Sequence, residues 1–442
     1  MGIGVRCQLI VTLLLATSTC WATDHTFLAV VDSATTVPPG NNGSWFFEYA
    51  SLDAGHVAFR AFVGGAEGIF AYDGQVFRVA DLNTAVPQGT GNFTSLGGFQ
   101  PAVSASAAVF RGLGGSSQSG IYAGNPLVKV ADRSNIVPGT GQTFTSLRDP
   151  SADGNQIVFI GSGPSRSGIF TSSGASIGAL VDTTMSGPGG ASFTAFADVA
   201  VANGNIGFSA NEGSEFGIYK RIGSSISTVA NQSTAVPSGG GETFFDFPMG
   251  YVDFDGQSIA FMGASSTHQG VYTDQGGRLR RVADNHTPIP GGGGNFDQFF
   301  IGAGPSVDQE VIAFHGRGPS ADGIFVDVGG VLSRLVVVGD TINGKTVSSL
   351  TIGSDAVSDG QVLLIARFSD QTQGIYLASV PEPSLGIALI VVAIAVCRPI
   401  RDTDQKGVRF TSCGMRRAVA RPRDFSNGLL SPTKDLPISM RR

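Results

Sequence analysis

Short apolar runs, bounded by glycine, proline and aspartate, recur along most of this 442-residue chain. One run contains the triplet Gly-Ile/Val-Phe/Tyr, which occurs at intervals of 48 to 53 residues and begins at Gly68, Gly120, Gly168, Gly217, Gly270, Gly323 and Gly374. Seven copies at a near-constant interval indicate an internal repeat of about 50 residues.

Three further apolar runs recur in each repeat. One is typified by residues 56–59 and usually follows Asp-Gly or Asn-Gly, pairs that close tight hairpins. A looser run is typified by residues 93–96. The last run leads into a Pro/Gly-rich loop and ends at Asp32, Asp81, Asp132, Asp182, Asn231, Asp284 and Asp340. Each repeat is therefore predicted to hold four short strands.

Four antiparallel strands in each of seven repeats predict an all-β, seven-bladed β-propeller over residues 24–379. The first run, residues 27–32, is a fourth strand without a preceding repeat, and residues 374–377 form a third strand without a following fourth one. Pairing the N-terminal strand with the last blade would close the ring and satisfy both sheet edges. A β-solenoid and two β-sandwiches are the alternatives.

Composition and charge exclude several classes of protein and of binding partner. A hydrophobic share of 42% excludes general disorder, and the 63 glycines follow no three-residue period, which excludes collagen. Residues 398–442 carry eleven Lys/Arg and four Asp/Glu, which leaves a net charge of −13 on the first 397 residues. An acidic body argues against a nucleic-acid partner. No cysteine lies between residues 21 and 396, so no disulfide or thiolate metal site is expected in the repeat region. The four cysteines are Cys7, Cys20, Cys397 and Cys413.

The first 22 residues have the pattern of a secretory signal peptide. One positive charge at Arg6 precedes the apolar run 9–16, and small residues follow. Cleavage is predicted after Ala22, and the apolar run is too short to span a bilayer.

The other end has a sorting pattern. Pro381, Glu382 and Pro383 precede the apolar run 385–397, and the basic residues Arg398 and Arg401 follow it. This order closely resembles the PEP-CTERM sorting signal, here over residues 380–401. The resemblance implies a Gram-negative host, an exosortase-type processing enzyme as partner, and a location in the cell envelope or outside the cell.

The same segment predicts a membrane contact. Residues 385–397 are expected to form a short C-terminal transmembrane helix, with the two arginines on the cytoplasmic side. A buried strand or helix of the body is the alternative for this run. Residues 402–442 are basic, lack an apolar period and are predicted to be a disordered tail.

The polar residue that ends each fourth strand is the most regular candidate for chemistry. A rim of carboxylates could hold Ca²⁺. A residue that occurs once in every repeat more often serves the repeat, here by accepting a backbone N–H in an Asx-turn. The stretch Asp253–Gly256 also resembles the start of a calcium loop but lacks the later acidic ligand. No cofactor is therefore predicted, with Ca²⁺ as the minor alternative.

No other catalytic or metal signature is evident. The chain lacks a nucleophile elbow and a phosphate loop, and no two of its histidines lie at metal-ligand spacing: His25, His56, His268, His286 and His315. The aromatic residues of the Gly-Ile-Phe/Tyr triplets are predicted to be core. Variable loops between second and third strands, at 112–120, 211–216 and 265–269, mark a candidate binding face.

These observations favour an exported, membrane-sorted protein of the envelope or extracellular matrix. Its propeller is expected to act as a non-catalytic binding or structural module, with extracellular polysaccharide as a candidate partner. The alternative is a secreted polysaccharide lyase or glycosidase in which carboxylates from several blades converge at the centre of the ring. No catalytic or ligand-binding residue is assigned from the sequence.

Overall fold

The structure is a computed structural model that describes residues 25–35 and 45–380, except 99, 105–106, 116–117, 174–175 and 300–303. These residues form seven antiparallel sheets, which confirms the predicted all-β propeller with seven four-stranded blades. The sequence signals predicted at the two ends lie outside the described residues: Ala22, Pro381, Glu382, Pro383, Arg398 and Arg401, with the segments 385–397 and 402–442.

The blades follow one another along the chain. The N-terminal strand is β1 (Phe27–Asp32). The first blade consists of β2 (Trp45–Asp53), β3 (His56–Val63), β4 (Ala66–Tyr72) and β5 (Val76–Asp81). The second consists of β6 (Phe93–Ser95), β7 (Ala102–Ser104), β8 (Ala107–Gly114), β9 (Ser119–Ala123) and β10 (Val128–Asp132). The third consists of β11 (Ser146–Asp153), β12 (Gln156–Ser162), β13 (Ser167–Ser173) and β14 (Ser176–Asp182).

The fourth blade consists of β15 (Phe193–Ala202), β16 (Asn205–Glu212), β17 (Glu215–Ile222) and β18 (Ser225–Asn231). The fifth consists of β19 (Val252–Phe254), β20 (Ile259–Ala264), β21 (Gln269–Thr273) and β22 (Arg280–Asp284). The sixth consists of β23 (Gln298–Phe299), β24 (Ser306–Asp308), β25 (Val311–Gly318), β26 (Ala321–Val328) and β27 (Val331–Val337). The seventh consists of β28 (Thr341–Ile342), β29 (Lys345–Thr351), β30 (Val357–Ser358), β31 (Gln361–Phe368) and β32 (Gln373–Ser379). Single 3₁₀ turns occupy Pro248–Gly250 and Gln275–Gly277.

The innermost strand of each blade is the first one, except in the second, sixth and seventh blades, where an interruption divides this strand and its later segment lies innermost. These inner strands contact one another in chain order, and that of the seventh blade also contacts that of the first: β2, β7, β11, β15, β19, β24 and β30. The seventh sheet receives β1 as its outer strand, antiparallel to β32, with Val31 opposite Ile375 and Asp32 opposite Gly374.

The repeated triplet has a direct packing explanation. Its aromatic residue is buried in every blade, which confirms the core prediction for Phe70, Tyr122, Phe170, Tyr219, Tyr272, Phe325 and Tyr376. Its glycine faces the fourth strand, so that a Cβ added at Gly270 would lie 2.2 Å from the carbonyl oxygen of Ala283. At Gly323 the equivalent distance, to the carbonyl oxygen of Val336, is 2.3 Å. The third and fourth strands approach too closely for any side chain there.

Candidate functional site

The inner strands enclose a cavity of about 280 Å³. Several blades contribute to its wall, and its polar lining residues include Tyr49, Gln100, Arg148, Asp149, Asp198 and Tyr251. Gly98, Pro101, Ala102, Ser354 and Asp355 also line it. The cavity therefore collects polar groups that lie far apart in the sequence.

Irregular backbone brings two of the four aspartates that line the cavity, Asp149 and Asp198, to its wall. The other two are Asp253 and Asp355. The register between β11 and β12 shifts between Arg148 and Ser151, and Asp149 has a φ of +50°. The register between β15 and β16 shifts between Phe196 and Asp198. A β-bulge disrupts the pairing locally and bends the strand. Asp149 lies within the first bulge, and Asp198, which pairs with Ser209, directly follows the second, so both carboxyl groups lie where the inner strand is irregular.

Three residues of the cavity lining have a left-handed backbone conformation. Met249, with a φ of +57°, and Asp355, with a φ of +60°, line the cavity together with Asp149. Non-glycine residues in the left-handed region cost roughly 1–3 kcal/mol each and persist only where the surrounding structure enforces them. Such residues cluster at ligand sites, so their position around this cavity marks it as the candidate site.

Arg148 joins the third blade to the fourth. Its guanidinium pairs with the carboxylate of Asp149 and donates from Nη1 to the carbonyl oxygen of Ala197, at 2.9 Å, and from Nη2 to that of Phe196, at 2.5 Å. These bonds hold the cation beside Asp149 and near enough to Asp198 for its charge to lower the pKa of that carboxyl group. One arginine and two aspartates from the third and fourth blades therefore line the same cavity.

Burial strongly perturbs the carboxyl group of Asp198. The loss of water, followed by the negative charge of Asp149, raises its pKa to about 7, against opposing hydrogen bonds from the N–H groups of Val252 and Val199 and the charge of Arg148. Burial also raises the pKa of Asp149, whereas Arg148 and then Arg111 lower it. Asp198 can therefore hold a proton near neutral pH, which a surface aspartate cannot.

Tyr251 supplies a neutral hydroxyl on the same wall. Burial, then the charge of Asp198, raises the pKa of its phenol above the ordinary value. The group therefore stays protonated at physiological pH and can donate a hydrogen bond. With the guanidinium of Arg148 and the carboxyl of Asp198, the cavity offers donors and acceptors suited to a hydroxyl-rich molecule.

The stretch considered as a calcium loop is occupied by protein contacts. Asp253 is buried, and its Oδ2 accepts hydrogen bonds from Ser306 Oγ at 2.6 Å and Val307 N at 2.8 Å. Asp255 Oδ1 accepts from Gln257 N at 2.9 Å and Ser258 N at 2.7 Å, which closes a hairpin. The carboxylates of Asp253 and Asp255 therefore accept hydrogen bonds from different parts of the protein and do not converge on one point.

The repeated polar residue at the end of the fourth strand is confirmed as a turn residue in six of the seven repeats. Its side-chain oxygen accepts the N–H two residues further on at Asp32, Asp81, Asp132, Asp182, Asn231 and Asp284. Asp340 differs, because its Oδ2 instead accepts the N–H of Val337 at 2.9 Å. The Asx-turn explains why the residue recurs.

Two histidines that the sequence spacing did not connect meet in the fifth blade. The rings of His268 and His286 lie with centroids 4.4 Å apart, beside the buried carboxylate of Asp284. Among the other histidines, His315 pairs with Asp322 at 2.8 Å. The spacing of the histidines in the sequence did not predict this contact, because His268 precedes β21 and His286 follows β22.

Sequence reasoning also missed the cavity residues. Asp198 interrupts the mostly apolar strand β15, which is a signal that the sequence offers, whereas the strand around Asp149 is itself largely polar and offers none. The variable loops proposed as a binding face do not contribute to the cavity, whose lining comes from inner strands and the segments that precede them.

Among the residues that the structure describes, none belongs to a helix with the length and apolar character needed to cross a bilayer. No protein-family model matches the chain, and no curated protein matches it.

Solved structures with a similar fold do exist. The β-propeller domain of the Trilobed protease from Pyrococcus furiosus is 10% identical, with a TM-score of 0.44, and the match covers 76% of this chain and 93% of that one. The Pyrococcus horikoshii acylaminoacyl peptidase is 10% identical with a TM-score of 0.41, over 78% and 54% of the two chains. The polysaccharide lyase Uly1 is 10% identical with a TM-score of 0.41, over 75% and 90%. At these values the similarity concerns the fold alone.

Proposed function

We propose that this protein is an exported binding module whose central cavity holds one unit of a hydroxyl-rich ligand, such as a sugar residue of an extracellular polysaccharide. The observation that carries the proposal is the convergence of Arg148, Asp198 and Tyr251 from three successive blades on one cavity wall. A purely structural channel has no need of a cation, a carboxyl group and a phenol at its centre.

Size and chemistry support a small polar ligand. The cavity of about 280 Å³ is slightly smaller than typical ligand pockets, which begin at ~300 Å³. A sugar hydroxyl both donates and accepts, so it can pair with the Asp198 carboxyl in either protonation state and with the Arg148 guanidinium. Tyr49, 37% exposed, presents an aromatic ring at the same wall, against which the apolar face of a sugar can pack.

A catalytic role is the second candidate, and one specific observation favours it. Asp149 and Asp198 belong to adjacent blades, and the pKa of Asp198 is raised to about 7. A carboxyl group that stays protonated near neutral pH can act as a general acid, and glycoside hydrolysis uses a pair of carboxyl groups. In this alternative Asp198 donates the proton to the leaving oxygen, and Asp149 stays ionised beside Arg148.

Binding and turnover can be separated in one experiment. The full chain is screened on a glycan array, and each bound glycan is then assayed for reducing ends and for unsaturated products. We expect saturable binding without product, with binding weakened at least tenfold by Asp198→Asn and Tyr251→Phe and unchanged by the exposed control Asp370→Asn. Product formation that depends on Asp198 would establish the enzyme instead. Equal binding by all variants would show that the ligand does not bind in the cavity.

We also propose that the chain is exported and sorted at the membrane through residues 1–22 and 380–401, with an exosortase-type enzyme as partner. The support is the order of Pro381, Glu382, Pro383, apolar run and arginines in the sequence. Replacing the three residues 381–383 by alanine should prevent processing and change membrane retention in the host, whereas unaltered retention and processing would contradict the proposal.

The same proposal includes a ring closed by its first strand. It is supported by the antiparallel register of β1 and β32 and by the backbone hydrogen bond from Ser33 N to Gln373 O, at 3.0 Å. A closed ring holds the inner strands at fixed distances, which a cavity built from several blades requires.

A further inference from the structure

We propose that His268, Asp284 and His286 form a binding site for a zinc ion on the fifth blade, separate from the central cavity. One ring nitrogen of each histidine and one carboxylate oxygen of Asp284 lie within 4.8 Å of one another. Imidazole nitrogen and carboxylate oxygen are ordinary zinc ligands, and three protein ligands leave a fourth position for water.

Hydrogen bonds at the outer nitrogens orient both rings. His268 Nδ1 lies 3.0 Å from Thr267 Oγ1 and 3.6 Å from a carboxylate oxygen of Glu242, while its Nε2 lies 4.0 Å from Asp284 Oδ2. His286 Nδ1 lies 3.1 Å from Asn285 Oδ1. A partner at Nδ1 favours the tautomer with its lone pair on Nε2, and this arrangement of an outer oxygen behind a ligand histidine is typical of metal sites.

The third ligand is held rigidly. Asp284 is fully buried, and its Oδ1 accepts hydrogen bonds from His286 N at 3.0 Å and Thr287 Oγ1 at 2.9 Å. Its Oδ2 accepts from Arg281 Nη1 at 2.9 Å and keeps a second lone pair for a metal. The Asx-turn thus fixes Asp284 and, through the same turn, the backbone of His286.

Comparison with the third blade shows what is particular to this site. The position of His268, two residues before the triplet glycine, is occupied by Arg166 in the third blade, where Nη1 lies 3.4 Å from Asp182 Oδ2. That position therefore faces the turn aspartate, and there a permanent cation fills it. In the fifth blade it carries an imidazole, which can coordinate, and the second imidazole comes from the turn itself.

The geometry needs only a small adjustment. Ligand atoms of a tetrahedral zinc site lie roughly 3.4 Å apart, given metal–ligand distances near 2.1 Å. The exposed ring of His286 can close the remaining gap by rotation, because one of its sides faces solvent. The same exposure gives the ion a path from solution.

The test is a calorimetric titration of the full chain, without a histidine tag, with zinc chloride alone. We expect one zinc ion per chain, with affinity reduced more than tenfold in His286→Asn and in His268→Gln, and about tenfold in Glu242→Gln, which removes the outer carboxylate. His56→Gln, on the first blade, is the matched control and should bind as the wild type does.

A second measurement keeps the result independent of folding. Cobalt(II) added in place of zinc should give the visible absorption of a four-coordinate ion in the wild type and lose it in His286→Asn, whose circular dichroism should be unchanged because the ring is exposed. The absence of stoichiometric zinc uptake, or equal affinity in the wild type and both histidine variants, would overturn the site.

Discussion

The carboxylate of Asp198 accepts a hydrogen bond from the backbone N–H of Val252, 3.0 Å away, across the boundary between the fourth and fifth blades. The bond ties an inner strand to the next one and also holds a titratable group in the cavity wall. The ionisation of Asp198 is therefore linked both to the contact between the two blades and to the charge of the cavity wall.

The first prediction concerns pH. The pKa of Asp198 is raised from 3.8 to about 7, so between these values the folded chain holds a proton that the unfolded chain releases. The resulting stability is complete below about pH 4 and is lost as the pH rises through 7, by up to ~1.4 kcal/mol per pH unit. Asp198→Asn should flatten this decline in urea titrations from pH 5 to 8. The exposed control Asp370→Asn should keep it, and parallel curves for wild type and Asp198→Asn would contradict the linkage.

The second prediction concerns the neighbouring carboxylate. The charge of Asp149 is the second largest cause, after burial, of the raised pKa of Asp198. Asp149→Asn should therefore lower the pKa of Asp198, and asparagine tolerates the φ of +50° at this position. Carbon-13 NMR titration of the aspartate side chains measures the change. An unchanged value for Asp198 would show that the two groups do not interact.

The third prediction tests the strand that joins the two ends. Val31 is 1% exposed and pairs with Ile375, whereas Leu28, on the same strand, is 55% exposed. Val31→Ala should lower the free energy of unfolding by about 2 kcal/mol through lost burial and the cavity left behind. Leu28→Ala should change it by less than ~0.5 kcal/mol. Equal effects in thermal or urea unfolding would mean that β1 is not part of the packed ring.

The fourth prediction tests the triplet glycine. A methyl group at Gly270 would meet the Ala283 carbonyl oxygen at 2.2 Å, so Gly270→Ala should destabilise the protein by ~3 kcal/mol as strands move apart. Gly178→Ala is the matched control within β14, where the new Cβ would lie 3.8 Å from Thr171 Cγ2. The control should be neutral or stabilising by up to ~1 kcal/mol. A tolerated Gly270→Ala would show that packing does not explain the triplet.

Repetition made the fold predictable from the sequence. A Cβ at the triplet glycine would meet either the fourth strand, as at Gly270, or the aromatic ring of the same triplet, as at Gly68. The buried aromatic residue lies two positions later, so the blades repeat nearly the same residues. The Asx-turn aspartates repeat for the same reason. Because the same local contacts recur in seven blades, the residues that make them recur at a regular interval, and this interval can be recognised in the sequence alone.

The cavity and the histidine cluster have no such period. Asp149 and Asp198 belong to different repeats, and a single-residue bulge decides whether a side chain faces the cavity or the neighbouring strand. His268 lies in the loop before β21, and His286 lies in the turn after β22. The two rings meet because the pairing of β21 with β22 brings this loop and this turn together. The sequence by itself thus determined the seven repeats, their strands and their turns, because these depend on contacts within a blade. Only the tertiary structure decided which polar groups share one environment, because that depends on how separate strands and blades come together.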